Sequence, residues 1–488
     1  MISFGVDIGG TGCKCVAFDE KGRQLALSYE EYPLEAGMVN LPPDILAESV
    51  FRVVRNCADA LEDKEDVAAI TVSSFGESFV AIDDNGIALD DIRMYFGNSE
   101  SAAFDALVEK VGPERFMEIC RILPDASYSL AKMLYTMEIA ARPVWKFLFI
   151  AGYICWKLSG KAYTDVSLAC RSLLYDVKQG CGSREVLVAY GIREDQLRAV
   201  VQPGTSLGTI LPDMAEKLGL PKTVQVVIGT HDQIVNALGA GIQNIGDAMD
   251  NTGTCECIAP LFAEIPETLD FQRDNYACVP YLENRGYVTY AYNISAGSVV
   301  RWYRDALDYH LKDGEKGIYQ ILNEAAPDKP TSLMVLPFLQ GMGGTPDVDP
   351  NATGLIAGLT TQTRLPDIYR AILEGVTFEM RHNMDRLAAG GVQIKRLLAC
   401  GGGARSSVWL QIKADILGCE IIPVNVEETG ALGSAILGFA AVTGKTPMEI
   451  GKSFWQYGEP IYPDPVNREI YDVRYGLYQH LRSVYREI

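Results

Sequence analysis

The sequence predicts an α/β protein with two related halves, residues 1–243 and 244–488, facing a central cleft that holds the functional site. Two observations lead to this prediction. The chain has 488 residues, which exceeds the size at which a single hydrophobic core stops growing. Each half also contains an apolar, strand-like run that ends in the same pattern, D-x-x-G-T.

The first copy of the pattern lies between the first two predicted strands. Apolar residues alternate with smaller ones over 2–6, the pattern interrupts them at 7–12, and an apolar run resumes at 16–18. A second turn at 19–22 has the composition of a hairpin and leads into a third strand. The chain should therefore begin as three strands joined by two tight turns.

The second copy, Asp250–Thr254, precedes another apolar run that starts at Cys257. A glycine-rich turn between strands lets backbone N–H groups converge on an anion, and the threonine hydroxyl adds a donor. An aspartate at the end of the preceding strand can hold Mg²⁺ directly or through water. The repeat indicates two phosphate-binding loops. In a chain with 46 glycines, two unrelated glycine turns are the alternative explanation.

Composition and charge exclude several classes of protein. The net charge of -20 argues against nucleic acid as a partner, because phosphate backbones require a basic face. The longest apolar run, 147–156, is too short to span a bilayer and predicts a buried helix. Residues 1–20 lack the features of a secretory signal. Twelve cysteines scattered through apolar stretches are typical of a reducing compartment, so we expect a cytoplasmic protein without a membrane partner.

Other sequence motifs are incomplete. No Walker A pattern is present, and Gly239–Gly241 lacks the third glycine of a dinucleotide-binding fingerprint. The segment 204–208 matches G-x-S-x-G, but Pro203 disrupts the strand that such a nucleophile needs. Two C-x-C pairs have no second pair or histidine at zinc-binding spacing.

The segment 395–418 has the most specific pattern in the chain. A short apolar strand at 394–399 is followed by three consecutive glycines at 401–403, and then by an apolar pattern with helical spacing. Consecutive glycines allow a flat ligand to lie directly against the backbone. Downstream, 427–436 predicts a second helix with small residues on one face, which favours close packing.

Asp232 is a candidate general base because of its position. The apolar strand 224–228 ends in the segment 229–232, and small residues then begin a helix. A carboxylate at such a junction can point into a cleft and accept a proton from a hydroxyl. A carboxylate that only stabilises the helix N-terminus would occupy the same position, so the residues alone leave both roles open.

Taken in order, these segments resemble the FGGY family of carbohydrate kinases, which includes glycerol kinase, xylulokinase, ribulokinase and gluconokinase. The resemblance covers nearly the whole chain and rests on seven segments: 6–14, 72–77, 165–169, 229–232, 251–254, 374–376 and 401–405. It implies the actin-like ATPase fold, with two ribonuclease-H-like domains. It also implies an enzyme that uses ATP and Mg²⁺ to phosphorylate a hydroxyl of a small sugar or polyol.

The resemblance also implies roles for individual residues. Asp232 would be the catalytic base, and the first phosphate loop would contain Asp7, Thr11 and Lys14, with Asp7 towards Mg²⁺. The remaining ATP contacts would be Gly253, Thr254, Gly297, Gly402, Gly403 and Arg405. The sugar contacts would be Gly76, Glu77, Tyr95 and Asp232.

The chain departs from the family pattern on the sugar side. Gly97 and Ser99 stand where an aspartate and an arginine are usual, and Gly76 replaces an arginine of the glycerol kinases or a methionine of the xylulokinases. A pentulose such as xylulose is the first expectation, with another sugar, a sugar acid or a polyol as alternatives. Loss of the arginine disfavours an anionic substrate.

Two further questions stay open at the level of the sequence. A catalytically silent relative that senses a sugar or a nucleotide is the alternative function. The presence of Asp7, Asp232 and Thr254 argues against it. No motif sets the oligomeric state, so a homodimer is left open.

Overall fold

A computed structural model describes residues 1–34, 39–95, 101–197, 199–307 and 317–485. The chain forms two compact units, each assembled from several segments. Unit 1 contains residues 1–243, 277–288 and 428–455, and unit 2 contains 244–276, 289–427 and 456–488. The domain limits 1–243 and 244–488 stay a prediction. No helix of the described ranges has both the length and the apolar character needed to cross a membrane.

The described residues form the following strands. They are β1 Ile2–Ile8, β2 Gly12–Asp19, β3 Gln24–Glu31, β4 Val67–Ser74, β5 Phe79–Ile82, β6 Lys146–Phe149, β7 Thr164–Asp165, β8 Tyr175–Asp176, β9 Cys181–Gly182, β10 Val200–Val201, β11 Ser206–Thr209, β12 Gln225–His231, β13 Asp247–Thr252, β14 Glu256–Phe262, β15 Val279–Pro280, β16 Tyr287–Val288, β17 Ala291–Asn293, β18 Met334–Leu336, β19 Leu355–Ala357, β20 Arg396–Cys400 and β21 Glu420–Pro423.

The helices lie between and after these strands along the chain. They are α1 Pro43–Asp59, α2 Ser101–Val108, α3 Pro113–Cys120, α4 Ser129–Ile139, α5 Ile150–Ser159, α6 Val166–Cys170, α7 Arg184–Tyr190, α8 Pro212–Leu218, α9 Asp232–Ala240, α10 Asp270–Arg273, α11 Gly297–Leu307, α12 Ile318–Ala325, α13 Leu365–Ala389, α14 Ser407–Leu417, α15 Thr429–Thr443, α16 Pro447–Phe454 and α17 Pro465–Tyr485.

The sheet of unit 1 has the strand order β3-β2-β1-β4-β12-β11. The first three strands form an antiparallel meander, and β1 is parallel to β4, which is parallel to β12. In unit 2, β17-β14-β13 form an equivalent antiparallel set, and β13 is parallel to β20, which is parallel to β21. The two units therefore repeat one topology, and the expected α/β fold with two ribonuclease-H-like domains is confirmed.

Small residues determine how the helices of unit 1 pack on its sheet. A Cβ atom at Gly5 of β1 would lie 2.0 Å from the carbonyl oxygen of Ala431 in α15. A Cβ atom at Gly239 of α9 would lie 1.8 Å from the carbonyl oxygen of Thr429. No real Cβ atom fits at these distances, so glycine is required for α15 to contact both β1 and α9. This confirms the close packing predicted for the small-residue helix, although the helix begins at Thr429 rather than at 427.

The apolar run 147–156 is only partly the helix that was predicted. Residues up to Phe149 belong to β6, which pairs with β5, and α5 begins at Ile150. The run is buried throughout except for Trp156. Its hydrophobicity therefore indicates that these residues lie in the core, but it does not distinguish a strand from a helix.

Candidate active site

Asp232 occupies the predicted junction between a strand and a helix. Strand β12 ends at His231, and α9 begins at Asp232, with the His231 Nδ1 atom accepting a hydrogen bond of 3.2 Å from the Gln233 N–H. The Asp232 side chain is 28% exposed, and its Oδ1 atom lies 3.0 Å from His231 Nδ1. Burial, together with the negative charges of Asp7 and Glu77, raises the pKa of Asp232 to about 7. A carboxylate with this pKa suits general-base chemistry near neutral pH.

The imidazole of His231 is neutral at the same pH. Burial lowers the pKa of His231 to about 4, and Glu77 offsets only part of this effect. The ring also lies against Gly76, where a Cβ atom would be 2.7 Å from the His231 Cδ2 atom. Glycine at position 76 is therefore what admits the histidine ring beside Asp232.

The first glycine loop forms the tight turn between β1 and β2. The Gly9 N–H donates to the Gly12 carbonyl at 2.9 Å, and the Tyr32 N–H donates to the Thr11 carbonyl at 3.0 Å. The Thr11 side chain is exposed. The loop thus presents backbone and hydroxyl groups to solvent at the end of β1, as the anion-binding prediction requires.

Asp7, near the end of β1, is only partly neutralised. Its Oδ2 atom lies 3.9 Å from Lys14 Nζ, but Lys14 is bound more closely by Glu428, at 2.8 Å. Burial raises the pKa of Asp7, Lys14 lowers it and Glu428 raises it. A Cβ atom at Gly430 would lie 3.2 Å from both Asp7 Oδ2 and Asn236 Oδ1, so this glycine keeps the space beside the carboxylate open.

Glu77 is held by an arginine that sequence reasoning missed. The Arg171 Nε donates to Glu77 Oε1 at 2.5 Å, and the guanidinium carbon lies 4.9 Å from the centre of the Tyr128 ring. Burial would raise the pKa of Glu77, but the positive charge of Arg171 and its hydrogen bond lower the pKa below its usual range. Glu77 also has a left-handed backbone conformation, with φ of 63°. The buried ion pair presents a carboxylate and a guanidinium side by side.

Tyr95 lies beside the first loop. A Cβ atom at Gly10 would be 3.1 Å from the Tyr95 hydroxyl, and the tyrosine ring is 5.8 Å from that of Phe75. Gly97 and Ser99, the two departures from the family pattern, lie outside the described residues.

The second loop occupies the corresponding turn of unit 2, between β13 and β14. The Gly253 N–H donates to the Cys255 carbonyl at 2.8 Å, and the Ser298 N–H donates to the Thr254 carbonyl at 2.9 Å. A Cβ atom at Gly297 would lie 2.0 Å from the Gly253 carbonyl oxygen. The N-terminus of α11 therefore rests directly on the loop because residue 297 is a glycine.

A cavity of about 840 Å³ in unit 2 is lined by all six residues predicted to contact ATP in that half of the chain. These residues are Gly253, Thr254, Gly297, Gly402, Gly403 and Arg405. The volume is within the range of small-molecule binding sites. Arg405 is 72% exposed and is bound by Glu427 at 2.5 Å, so it forms the rim of the cavity and not its floor.

Side chains from helices without any motif complete the cavity. Tyr319 and Asn323 come from α12, and Tyr369 comes from α13. Asn323 Oδ1 accepts hydrogen bonds from the Tyr369 hydroxyl and the Ser406 hydroxyl, each at 2.9 Å. A cavity lined by aromatic and amide side chains together with a glycine backbone suits a flat, hydrogen-bonding group such as a purine.

The aspartate of the second loop is buried and neutralised. Lys413 Nζ lies 2.5 Å from Asp250 Oδ2, 2.6 Å from the Thr252 hydroxyl and 2.8 Å from Glu256 Oε1. Lys413, Asp250 and Glu256 are at most 1% exposed. Burial raises the pKa of Glu256 to about 7, with Lys413 lowering it and Asp250 raising it. A lysine within the apolar pattern of 408–417 was the available sequence signal for this cluster.

Comparison with known proteins gives a consistent match along the chain. The model of the FGGY family of carbohydrate kinases, N-terminal domain, matches residues 2–239, and that of the C-terminal domain matches residues 257–442. A xylulose kinase of Bacillus subtilis is 24% identical over 487 residues, covering 98% of this chain and 96% of that protein. A gluconokinase of Bacillus licheniformis is 27% identical over 456 residues, covering 90% and 87%.

A solved structure supports the fold. The xylulose kinase of Rhodospirillum rubrum superposes with a TM-score of 0.87 at 21% identity and full coverage of both chains. At this identity the likeness establishes the fold alone.

The Lys413 cluster leads to a prediction about stability. Lys413→Met should lower the free energy of unfolding by about 3–5 kcal/mol, because two buried carboxylates lose their counter-charge. Glu256 has a raised pKa in the folded protein, so it favours folding when protonated. The loss should therefore be smallest near pH 5 and should grow as the pH rises through 7.

Denaturant unfolding at several pH values measures this loss. Lys395→Met is a matched control, because this lysine is exposed in the same unit and should change stability by no more than about 0.5 kcal/mol. A loss in Lys413→Met that is small, or that shrinks with rising pH, would contradict the assigned pairing.

Proposed function

The chain belongs to the FGGY family of carbohydrate kinases, and we propose that it transfers the terminal phosphoryl group of ATP to a hydroxyl of a small neutral sugar or polyol. A pentulose such as xylulose is the first candidate. The observation that carries the proposal is the cavity of unit 2, whose walls contain every residue that the sequence assigned to ATP in that half. Unit 1 separately supplies Asp232 as the candidate base and Asp7 as the candidate metal-binding carboxylate. It also supplies the Glu77–Arg171 ion pair, which suits substrate hydroxyl groups.

Unit 2 binds the nucleotide in this proposal. The purine and ribose lie between the backbone of Gly402 and Gly403 and the side chains of α12 and α13. The phosphates extend to Gly253 and Thr254, where α11 begins. Both the exposed turn and the adjacent helix N-terminus favour negative charge. The Thr254 hydroxyl, 3.2 Å from Arg301, acts on the transferring phosphoryl group.

Asp7 is the residue that fits a magnesium ion. Its carboxylate is 17% exposed, lies beside an open space at Gly430 and is only weakly paired with Lys14. The described residues contain no cluster of three or more metal-binding side chains, so the remaining ligands would be water and phosphate oxygens, as is usual for Mg²⁺. When bound, the ion neutralises charge on the β- and γ-phosphates.

The Glu77–Arg171 pair supports a neutral, polyhydroxylated substrate. A carboxylate accepts a hydrogen bond from one hydroxyl, and an adjacent guanidinium donates to the oxygen of a neighbouring hydroxyl. Because Glu77 already compensates the charge of Arg171 at 2.5 Å, the pair offers little net attraction for a substrate carboxylate. This arrangement favours ketoses and polyols over sugar acids.

Asp232 performs the proton transfer. Its ionised carboxylate accepts the proton of the attacking hydroxyl as the oxygen bonds to the γ-phosphorus, and ADP leaves with the bridging oxygen. The start of α9 places the carboxylate at the strand end, beside the neutral ring of His231. Thr11 lies in the exposed turn between β1 and β2, and Lys14 lies in β2 beside Asp7.

ADP release measured against a panel of substrates tests the proposed function. We expect release that depends on a neutral ketopentose or polyol, with kcat/KM higher than for any sugar acid of similar length. A preference for a sugar acid would contradict the role of the Glu77–Arg171 pair. No stimulated release with any member of a broad panel would favour a catalytically silent relative.

Asp232→Asn tests the base. The amide keeps the size of the side chain but cannot accept the proton, so kcat should fall by about 10²–10⁴-fold while ATP affinity stays near that of wild type. In the wild type, kcat/KM should decrease as the pH falls below about 7, because protonation removes the base.

Asp213→Asn is the matched control, because this exposed aspartate also lies in the first turn of a helix, α8. It should leave the kinetics unchanged. If Asp232→Asn transfers phosphate within a few-fold of wild type, Asp232 is a structural carboxylate and Glu77 becomes the first alternative base.

A further inference from the structure

The end of strand β12, directly before Asp232, departs from the regular ladder of the sheet. Residues 225–228 pair with β4 residue by residue, but the register then shifts, and His231 lies opposite Ser74. A register shift of this kind interrupts the backbone hydrogen bonds between two strands. The conformation of the strand end therefore depends on other contacts.

Two side-chain hydroxyls accept the backbone N–H groups of this strand end. The Thr230 N–H donates to Ser73 Oγ at 3.2 Å, and the His231 N–H donates to Ser167 Oγ at 2.9 Å. Thr230, Ser73 and Ser167 are fully buried. A buried N–H group needs a protein partner, because no solvent reaches it. Serine hydroxyls therefore fix the two residues that precede Asp232.

Every hydrogen-bonding position of the Ser167 hydroxyl is used. Its oxygen lies 2.6 Å from Asp165 Oδ2 and 2.6 Å from the Thr230 hydroxyl. Burial raises the pKa of Asp165 to about 6, so at neutral pH this carboxylate is mainly ionised and can only accept hydrogen bonds. The single proton of Ser167 therefore points to Asp165. Its two lone pairs accept from the Thr230 hydroxyl and the His231 N–H.

Ser167 also connects the candidate base to the ion pair of the sugar side. It lies in the short helix α6, which begins after Asp165 and ends before Arg171. Arg171 in turn holds Glu77, at 2.5 Å. The same serine is bonded to the residue directly before Asp232. One buried hydroxyl therefore lies between the segment that carries the base and the segment that carries the arginine.

We propose that Ser167 is a positioning residue for phosphoryl transfer and that Asp165 orients its hydroxyl. Ser167 holds the Asp232 carboxylate and the Arg171 guanidinium at a fixed separation, so that a sugar bound by one presents its hydroxyl to the other. This inference rests on the proposed kinase function. It also assigns a role to the segment 165–169, which that function leaves without one. A misplacement of about 1 Å costs on the order of 10²-fold in rate.

The kinetics of Ser167→Ala test the connection, with the best neutral acceptor of the substrate panel, beginning with xylulose. We expect kcat to fall by about 10–100-fold and the KM for this acceptor to rise by about threefold or more, because both base and arginine lose a fixed position. The Kd of MgADP, measured by calorimetry without sugar, should stay within about twofold of wild type, since the nucleotide cavity lies in unit 2. A purely structural defect would not divide its effects in this way.

Two further variants separate positioning from stability. Ser49→Ala is the matched control, because Ser49 is also a fully buried serine of unit 1 whose hydroxyl donates to a carboxylate, that of Glu30, at 2.9 Å. It should lower the melting temperature as Ser167→Ala does, but leave the kinetics unchanged. Ser167→Thr keeps the hydroxyl and should recover most of kcat. Equal losses of kcat in the two alanine variants, or no recovery in a Ser167→Thr protein that melts like wild type, would overturn the proposal.

Amide hydrogen exchange gives a readout that does not need an active enzyme. Ser167→Ala removes the acceptor of the His231 N–H, so exchange in the segment 229–232 should accelerate by about tenfold or more, and Ser49→Ala should leave it unchanged. Unchanged exchange in Ser167→Ala, or kinetics within about twofold of an active wild type, would overturn the proposal. A wild type without sugar-dependent ADP release would refute the proposed function instead, and the exchange rates would still show whether Ser167 fixes the strand end.

Discussion

The tight reversal of the chain between the first two strands is the constraint on which both units depend. In each unit this turn follows the central strand and sets the ends of the parallel strands beside a loop that contains exposed residues. In unit 2 the loop also determines how α11 packs, because Gly297 must be glycine for the helix to reach the Gly253 carbonyl. In unit 1, Gly430 at the start of α15 keeps the space beside Asp7 open. Close backbone packing therefore positions both candidate binding surfaces, the loop at Gly253 in unit 2 and the space beside Asp7 in unit 1.

The same pattern has different electrostatics in the two units. Asp250 is fully buried and bonded to Lys413 at 2.5 Å, so the buried lysine neutralises the charge of this carboxylate. Asp7 is partly exposed, and the lysine near it is bound more closely by Glu428. One aspartate of the repeat thus stabilises its loop, and the other stays available to a ligand. The proposed metal site at Asp7, and none at Asp250, follows from these different lysine partners.

Local signals made much of the fold predictable. Strand alternation, the glycine turns and the junction at Asp232 each depend on a few consecutive residues, and the structure has all three. The small-residue pattern of α15 likewise predicted close packing. The limits of α5 were missed because a fully buried apolar run carries no periodicity that separates strand from helix.

The missed parts of the candidate site are contacts between distant segments. Arg171 lies 94 residues from Glu77, and nothing around it marks a partner. Tyr319 and Tyr369 reach the cavity from helices whose sequences show only ordinary amphipathic patterns. Lys413 was visible as a lysine in an apolar stripe, but its partners were not. Such side chains are positioned by tertiary packing, which a pattern of neighbouring residues does not encode.

The central claim is that only one aspartate of the repeat binds a metal ion. Electron paramagnetic resonance of Mn²⁺, with a non-hydrolysable ATP analogue present, tests it most directly in Asp7→Asn and Asp250→Asn. Both variants remove one carboxylate charge, and in the second Glu256 still pairs with Lys413. We expect Asp7→Asn to weaken Mn²⁺ binding by about tenfold or more and Asp250→Asn to leave it nearly unchanged. Equal weakening in both variants, or none in Asp7→Asn, would contradict the account.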